Sequence, residues 1–194
     1  MKKLIIPLMA AAAFAAYHFG IIQIPEIKVP EIKLPEITLP SGTKEEQFLE
    51  VAVPFVGAEE GKRNHAYQDI VGIWTVCYGE TKGVKEGDYY TDAECDEMLR
   101  VELLDYREGL HVYFSAETLK ERLPVKRDVA FTSLAYNAGV GAIGKSTAVK
   151  RLNGGDVVGA CEALGWWNKA GGRVVRGLVN RRAREQELCL DGLE

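Results

Sequence analysis

Apolar and polar positions along the chain change pattern twice. Leu4 to Ile24 is an unbroken run of 21 residues without Asp, Glu, Lys or Arg, preceded by Lys2 and Lys3. As a helix it would be about 31 Å long, enough for the hydrocarbon core of a bilayer. The two lysines would keep the N-terminus in the cytoplasm, so the rest of the chain is expected to be exported. Alanine fills the middle of the run, Pro7 lies near its start, and His18, Gly20 and Gln23 lie near its end, so the span is a weak one. Small-residue triplets such as Ala11-Ala12-Ala13 also suit a cleavable signal peptide, but the run continues past them to Ile24, which favours an uncleaved anchor over residues 1–24.

A five-residue repeat follows, as in Ile24-Pro25-Glu26-Ile27-Lys28 and Val29-Pro30-Glu31-Ile32-Lys33. Prolines at a fixed interval forbid a continuous helix and remove the donors that a central strand needs. Residues 25–42 therefore read as a semi-rigid linker, of which residues 25–40 would reach about 50 Å if fully extended. Such a repeat serves either as a spacer off the membrane or as low-complexity sequence without a role of its own.

From residue 43 to 194 the pattern becomes that of a compact α+β domain. Thr43 with Glu46 forms a capping box for a helix carrying Phe48, Leu49 and Ala52. Pro54 suits the first turn of a second short helix ending at Glu60, with Gly61 as its C-cap. Tyr67 to Tyr78 has β character, with Asp69-Ile70-Val71-Gly72 as the turn of a hairpin. Thr91 and Glu94 form another capping box and start a helix running to about Arg107. Beyond it the chain reads as helical over 125–136, 146–152, 157–164 and 177–190. The expected architecture is a small lobe containing the β-hairpin and a larger helical lobe, with a cleft between them.

Composition narrows the class. With 47% hydrophobic and 27% charged residues, the chain can bury a core and is neither wholly disordered nor collagen-like. The net charge of −4 is unevenly spread, because the acidic residues dominate before residue 120 and Lys and Arg dominate after it. A basic second half suits a polyanionic partner, or simply a solvated helix face. Arg173, Arg176, Arg181, Arg182 and Arg184 could meet anionic wall polymer. Nucleic acid is not expected, because no recognition motif accompanies them and the body is exported. Cys77, Cys95, Cys161 and Cys189 make an even count in an exported domain, which favours two disulfides over buried free thiols. Of the three connectivities, local pairing (Cys77–Cys95 and Cys161–Cys189) is expected, because it closes short loops within each lobe. None of the four cysteines lies in the apolar run, so that segment offers no thiol to exchange. Metal binding is not expected, because there is no Cys-x-x-Cys and His18, His65 and His111 are scattered. No cofactor motif is present either.

Glu60, Asp69 and Thr75 make the constellation of interest. Glu60 stands at a helix C-terminus, where the negative end of the helix dipole disfavours an ionised carboxylate. A protonated acid there could protonate the leaving oxygen of a glycosidic bond. Asp69 in the turn could activate water, and the Thr75 hydroxyl could hold it. Taken alone, acidic residues at helix ends and turns are usually solvated caps.

The surrounding words change that weighing. Glu60, Asp69 and Thr75 at their spacing, then Cys77-Tyr78-Gly79-Glu80-Thr81, Ala93-Glu94-Cys95-Asp96, Tyr136-Asn137-Ala138-Gly139, Trp166-Trp167 and Gly177-Leu178-Val179-Asn180-Arg181-Arg182 resemble the phage-type lysozymes of glycoside hydrolase family 24. The resemblance covers about residues 44–190, and with the alanine-rich span it is strongest to the signal-arrest-release endolysins. It implies a lysozyme-like fold and a muramidase that cleaves the β-1,4 bond between N-acetylmuramic acid and N-acetylglucosamine. It also implies Glu60 as general acid, with Asp69 and Thr75 activating water and no cofactor or metal required. Tyr78, Asn137 and Trp167 become candidate substrate-binding residues, although core packing is the commoner use of the tryptophan pair. The implied partners are peptidoglycan glycan strands and, through residues 1–24, the inner membrane. The expected life cycle is that of a monomer, tethered first and periplasmic after release. Two departures stand out: Glu80 occupies a position where the family commonly has His, and the proline repeat is unusual between span and body. A reading from another class is a non-catalytic, membrane-tethered peptidoglycan-binding scaffold of the same shape.

Overall fold

A computed structural model describes residues 42–191. The apolar run and the proline repeat both lie outside the described residues. Among the described residues, no helix is long and apolar enough to cross a membrane.

The chain begins with helix α1 (Lys44–Glu60) and a hairpin of β1 (Arg63–Gln68) and β2 (Trp74–Cys77), followed by α2 (Asp92–His111). A single π-turn (Thr118–Arg122) leads into α3 (Val125–Ala138), α4 (Val140–Gly144), α5 (Thr147–Asn153) and α6 (Val157–Leu164). A short second hairpin, β3 (Lys169–Ala170) with β4 (Arg173–Val174), precedes the last helix, α7 (Arg176–Leu190). The result is a lysozyme-like α+β arrangement, with a β-hairpin segment set on a helical body.

Helix α3 is the axis of the body. Every residue from Arg127 to Ala135 is buried, so the helix is covered on all sides, as a central bundle helix must be. Helices α1, α2 and α7 pack around it, and the shared core includes Phe48, Leu99, Leu103, Phe131, Leu134 and Leu188. Each of these leucines, fully or almost fully removed from water, contributes on the order of 1.5–3 kcal/mol. A smaller cluster of Val76, Cys77 and Cys95, with Tyr78, Val84, Tyr90 and Met98 against it, fastens the hairpin to α2.

Several expectations need correction. Pro54 does not open a second helix: it sits inside a continuous α1, followed by nearly two further turns. The capping box at Thr43 starts that helix, and Gly61, at φ 73°, ends it. The chain after α2 is not wholly helical, because Gly171 and Gly172 turn the β3–β4 hairpin. Along β2, Thr75, Val76 and Cys77 are all buried, and Cys77 has a left-handed backbone (φ 56°). The disulfides join Cys77 to Cys95 and Cys161 to Cys189. The first ties β2 to α2, and the second ties α6 to α7.

Both capping boxes are complete, with Glu46 and Glu94 accepting from the backbone and hydroxyl of Thr43 and Thr91. Those hydrogen bonds, the backbone one first, hold both carboxyls below their ordinary value of 4.5. A depressed folded-state value means the unfolded chain binds more protons just below pH 4.5, so this stability is present above that pH and lost as pH falls through the folded value. Glu94→Gln is therefore expected to flatten the fall in Tm between pH 6 and pH 3, as read by thermal unfolding at several pH values. An unchanged slope would show that the box does not contribute.

Candidate active site

Glu60 is the last residue of α1, and only Gly61 and Lys62 separate it from β1. The sequence pointed to the helix terminus alone; the structure adds a cation. Arg181 of α7 donates from Nη1 to Glu60 Oε1 at 2.7 Å, and the Arg181 side chain is almost entirely buried. The neighbouring Glu59 turns the other way and pairs with Arg184, whose Nη2 donates to Oε2 at 2.6 Å. The two adjacent acids at the end of α1 are thus sorted by which arginine of α7 each one meets.

Asp69 organises the hairpin. Its Oδ1 accepts from the amides of Val71 at 2.9 Å and Ile73 at 2.8 Å, and its own amide donates to the Ile73 carbonyl at 2.9 Å. This is an Asx-type turn that fixes the carboxylate through the backbone. Thr75, buried on β2, donates its hydroxyl to the same Ile73 carbonyl at 3.1 Å. One carbonyl therefore links Asp69 and Thr75. The register agrees, with Gln68 opposite Trp74 and Tyr67 opposite Thr75.

Close by, the Tyr136 hydroxyl of α3 donates to Glu102 Oε2 of α2 at 2.6 Å. Burial first, and Glu102 second, push the Tyr136 hydroxyl well above its ordinary range, and Glu60 adds to the effect. Burial also raises the Glu102 carboxyl, and Glu80 acts on it in the same sense. Glu80, which stands where the lysozymes that the sequence resembles commonly have His, thus meets a second carboxyl group.

The remaining candidates have other commitments. Tyr78 donates its hydroxyl to Asp96 Oδ1 at 2.6 Å, and its ring lies over Gly57, where an added Cβ would come within 3.1 Å of the ring. Gly57 is what allows α1 and Tyr78 to approach. Asn137 is exposed, and its Oδ1 accepts from Arg182 Nη1 at 3.2 Å. Trp167 packs partly against the main core, whereas Trp166 is exposed under the Arg151 guanidinium. The arginine series divides as well: Arg181 and Arg182 are buried and Arg184 is paired, so only Arg173 and Arg176 are exposed to meet a polyanion. Burial of Arg181 and Arg182 left no signal in the sequence, where both stand in a strongly charged helix.

The structure thus places Glu60 at the end of α1, beside a hairpin that carries Asp69 and Thr75, within a lysozyme-like α+β fold. Residues 57–185 match the family model for phage lysozyme. A relative named SAR-endolysin from Enterobacteria phage P21 is 40% identical over 134 residues, covering 69% of this chain and 78% of that one. Another of that name, from Pseudomonas phage phiKMV, is 39% identical over 147 residues, covering 74% and 88%. The solved active form of the P1 phage endolysin Lyz superposes with a TM-score of 0.63 at 29% identity, covering 73% of this chain and 83% of that one. The chain belongs to the phage lysozyme family, and it is a lysozyme.

The turn geometry yields a direct test. Asp69→Ala removes the acceptor of two amides and is expected to destabilise the fold by about 0.5–1.5 kcal/mol. Asp69→Asn keeps an oxygen in place and should unfold close to the parent. Equal losses for the two variants, measured by chemical denaturation, would contradict the Asx-turn role.

Proposed function

We propose that this lysozyme is a muramidase that cleaves the β-1,4 bond between N-acetylmuramic acid and N-acetylglucosamine, with Glu60 as general acid. The observation that carries the reading is the contact of Glu60 with buried Arg181 beside a hairpin that ties Asp69 to Thr75. Arg181 occupies Glu60 Oε1, so the transferable proton belongs on Oε2, where it can pass to the departing glycosidic oxygen. As that proton leaves, the guanidinium stabilises the carboxylate that forms. Asp69 Oδ1 is held by the turn amides, which leaves Oδ2 to accept a proton from water. Thr75 already donates to Ile73, so its oxygen can accept the second hydrogen of the same water. Water held in this way attacks the sugar carbon directly and inverts its configuration.

Glu60→Gln is expected to lower turnover on purified peptidoglycan by about 100-fold or more while wall binding persists. Asp69→Asn, stable in the turn, should be similarly slow. Clearing of the wall at the parental rate by Glu60→Gln would instead support the scaffold reading. Retention of configuration in the released sugar would refute direct attack.

The same proposal extends to the whole chain: residues 1–24 as a weak membrane anchor, 25–42 as linker and 43–194 as a monomeric catalytic domain. Relatives bearing the name SAR-endolysin support a protein that is first held at the host inner membrane and then released to the periplasm. Alanine offers far less transfer energy than leucine, so an alanine-rich span can leave the bilayer. Replacing Ala11, Ala12, Ala13 and Ala15 with Leu should trap the protein in the membrane fraction and abolish lysis. Full lysis by the trapped variant would show that the linker alone lets the domain reach the wall.

A further inference from the structure

Arg181 can serve Glu60 only if something holds its guanidinium still. Its Nε donates to Glu185 Oε1 at 3.3 Å, and its Nη2 points to the Ser133 carbonyl at 3.3 Å, leaving Nη1 for Glu60 at 2.7 Å. A planar fork gripped at two nitrogens presents the third in one direction. Glu185 is fully buried, and its Oε1 also accepts from Ser133 Oγ at 2.7 Å and Arg182 Nη2 at 2.8 Å. Its Oε2 lies 2.7 Å from Arg182 Nε, an ion pair without hydrogen-bond alignment. Every one of these partners is a donor, which is the surrounding a carboxylate requires. Burial, the largest effect, raises the Glu185 carboxyl above its ordinary value, and the two guanidiniums and the serine hydroxyl oppose it.

Stability alone is a poor reason to keep such a group. A buried carboxylate and its cations can often be replaced by apolar residues of similar volume at no loss, since desolvation consumes much of the Coulombic gain. The arrangement instead has a direction. Positions 181 and 185 are one helical turn apart on α7, and Ser133 faces them from α3, so the clamp spans the two helices on which the end of α1 rests.

We infer that Glu185 is a positioning residue for glycoside cleavage, locking the Arg181 guanidinium against Glu60 with Ser133 as the second brace. The inference rests on the reading of Glu60 as the acid. Glu185 touches no substrate; it acts through Arg181.

The test uses the full chain on soluble glycan oligomers, so that kcat and KM separate. Glu185→Gln, which keeps the shape and removes the charge, should lower kcat about tenfold with KM within about twofold of the parent. The decisive measurement is a double-mutant cycle. If Glu185 acts through Arg181, Glu185→Gln should cost nothing further in an Arg181→Ala background. Additive losses, or a parental kcat for Glu185→Gln, would overturn the inference. Where Glu185→Gln does not fold, Ser133→Ala removes the hydroxyl that donates to Glu185 Oε1 at 2.7 Å and accepts from Arg181 Nη2 at 3.5 Å, leaving the carbonyl and the charges in place. It should slow kcat less, again only while Arg181 is present, and additivity there would overturn the inference equally. Glu60→Gln separates the two levels. Full activity in that variant would sink the acid assignment itself. An inactive Glu60→Gln beside a fully active Glu185→Gln would sink only the positioning role.

Discussion

The meeting of α1 with α7 over the buried face of α3 is the contact on which the active face depends. Three acids and three arginines are brought together there: Glu59 takes Arg184, Glu60 takes Arg181, and Glu185 pairs with both Arg181 and Arg182. Such a cluster is tolerable only because nearly every charge has an opposite partner within reach, since an unpaired charge at that depth would be severely destabilising. The end of α1 is therefore fixed by charge pairing as well as by apolar contact. A one-turn displacement of α7 would leave several charges buried without partners.

The hairpin is built on a contrasting principle. Asp69 and Thr75 are positioned by bonds within a few residues of one another, all converging on the Ile73 carbonyl and two turn amides. That local unit is joined to the body by the small apolar cluster around Val76 and by the Cys77–Cys95 bond to α2. Its tip stays exposed, with Ile70, Val71 and Ile73 largely in solvent. Glu60 is held by long-range charge pairing and Asp69 by a short turn, so the two halves of the candidate site can respond independently to mutation. The Asp69 and Glu185 variants separate those contributions.

Much of the architecture was legible because it is encoded locally. Thr43 with Glu46 and Thr91 with Glu94 mark helix starts through bonds three residues apart, and Gly61 marks an end through its backbone freedom. The Asp69 turn belongs to the same class, and so does the preference of each cysteine for a neighbour in its own lobe. The failures are of another kind. Pro54 suits the first turn of a new helix, yet tertiary packing of Val51, Ala52 and Val56 carries α1 straight through it. The β3–β4 strands are two residues each, too short for any periodicity to show.

The sequence by itself determined the local frames of the candidate residues: an acid at a helix end, a carboxylate in a turn, a hydroxyl on the returning strand. Tertiary structure alone decided the charges around them. Arg181, Arg182 and Glu185 read as members of a solvated polar helix, because a run of charges has the same spacing whether water or protein covers it. Only the packing of α7 on α3 and against the end of α1 shows that these three are buried and that Arg181 faces Glu60 across 121 residues of sequence, and only the docking of the hairpin on α2 commits Tyr78 to Asp96. Burial and ion pairing at that separation depend on which helix faces cover one another, and no local pattern carries that information.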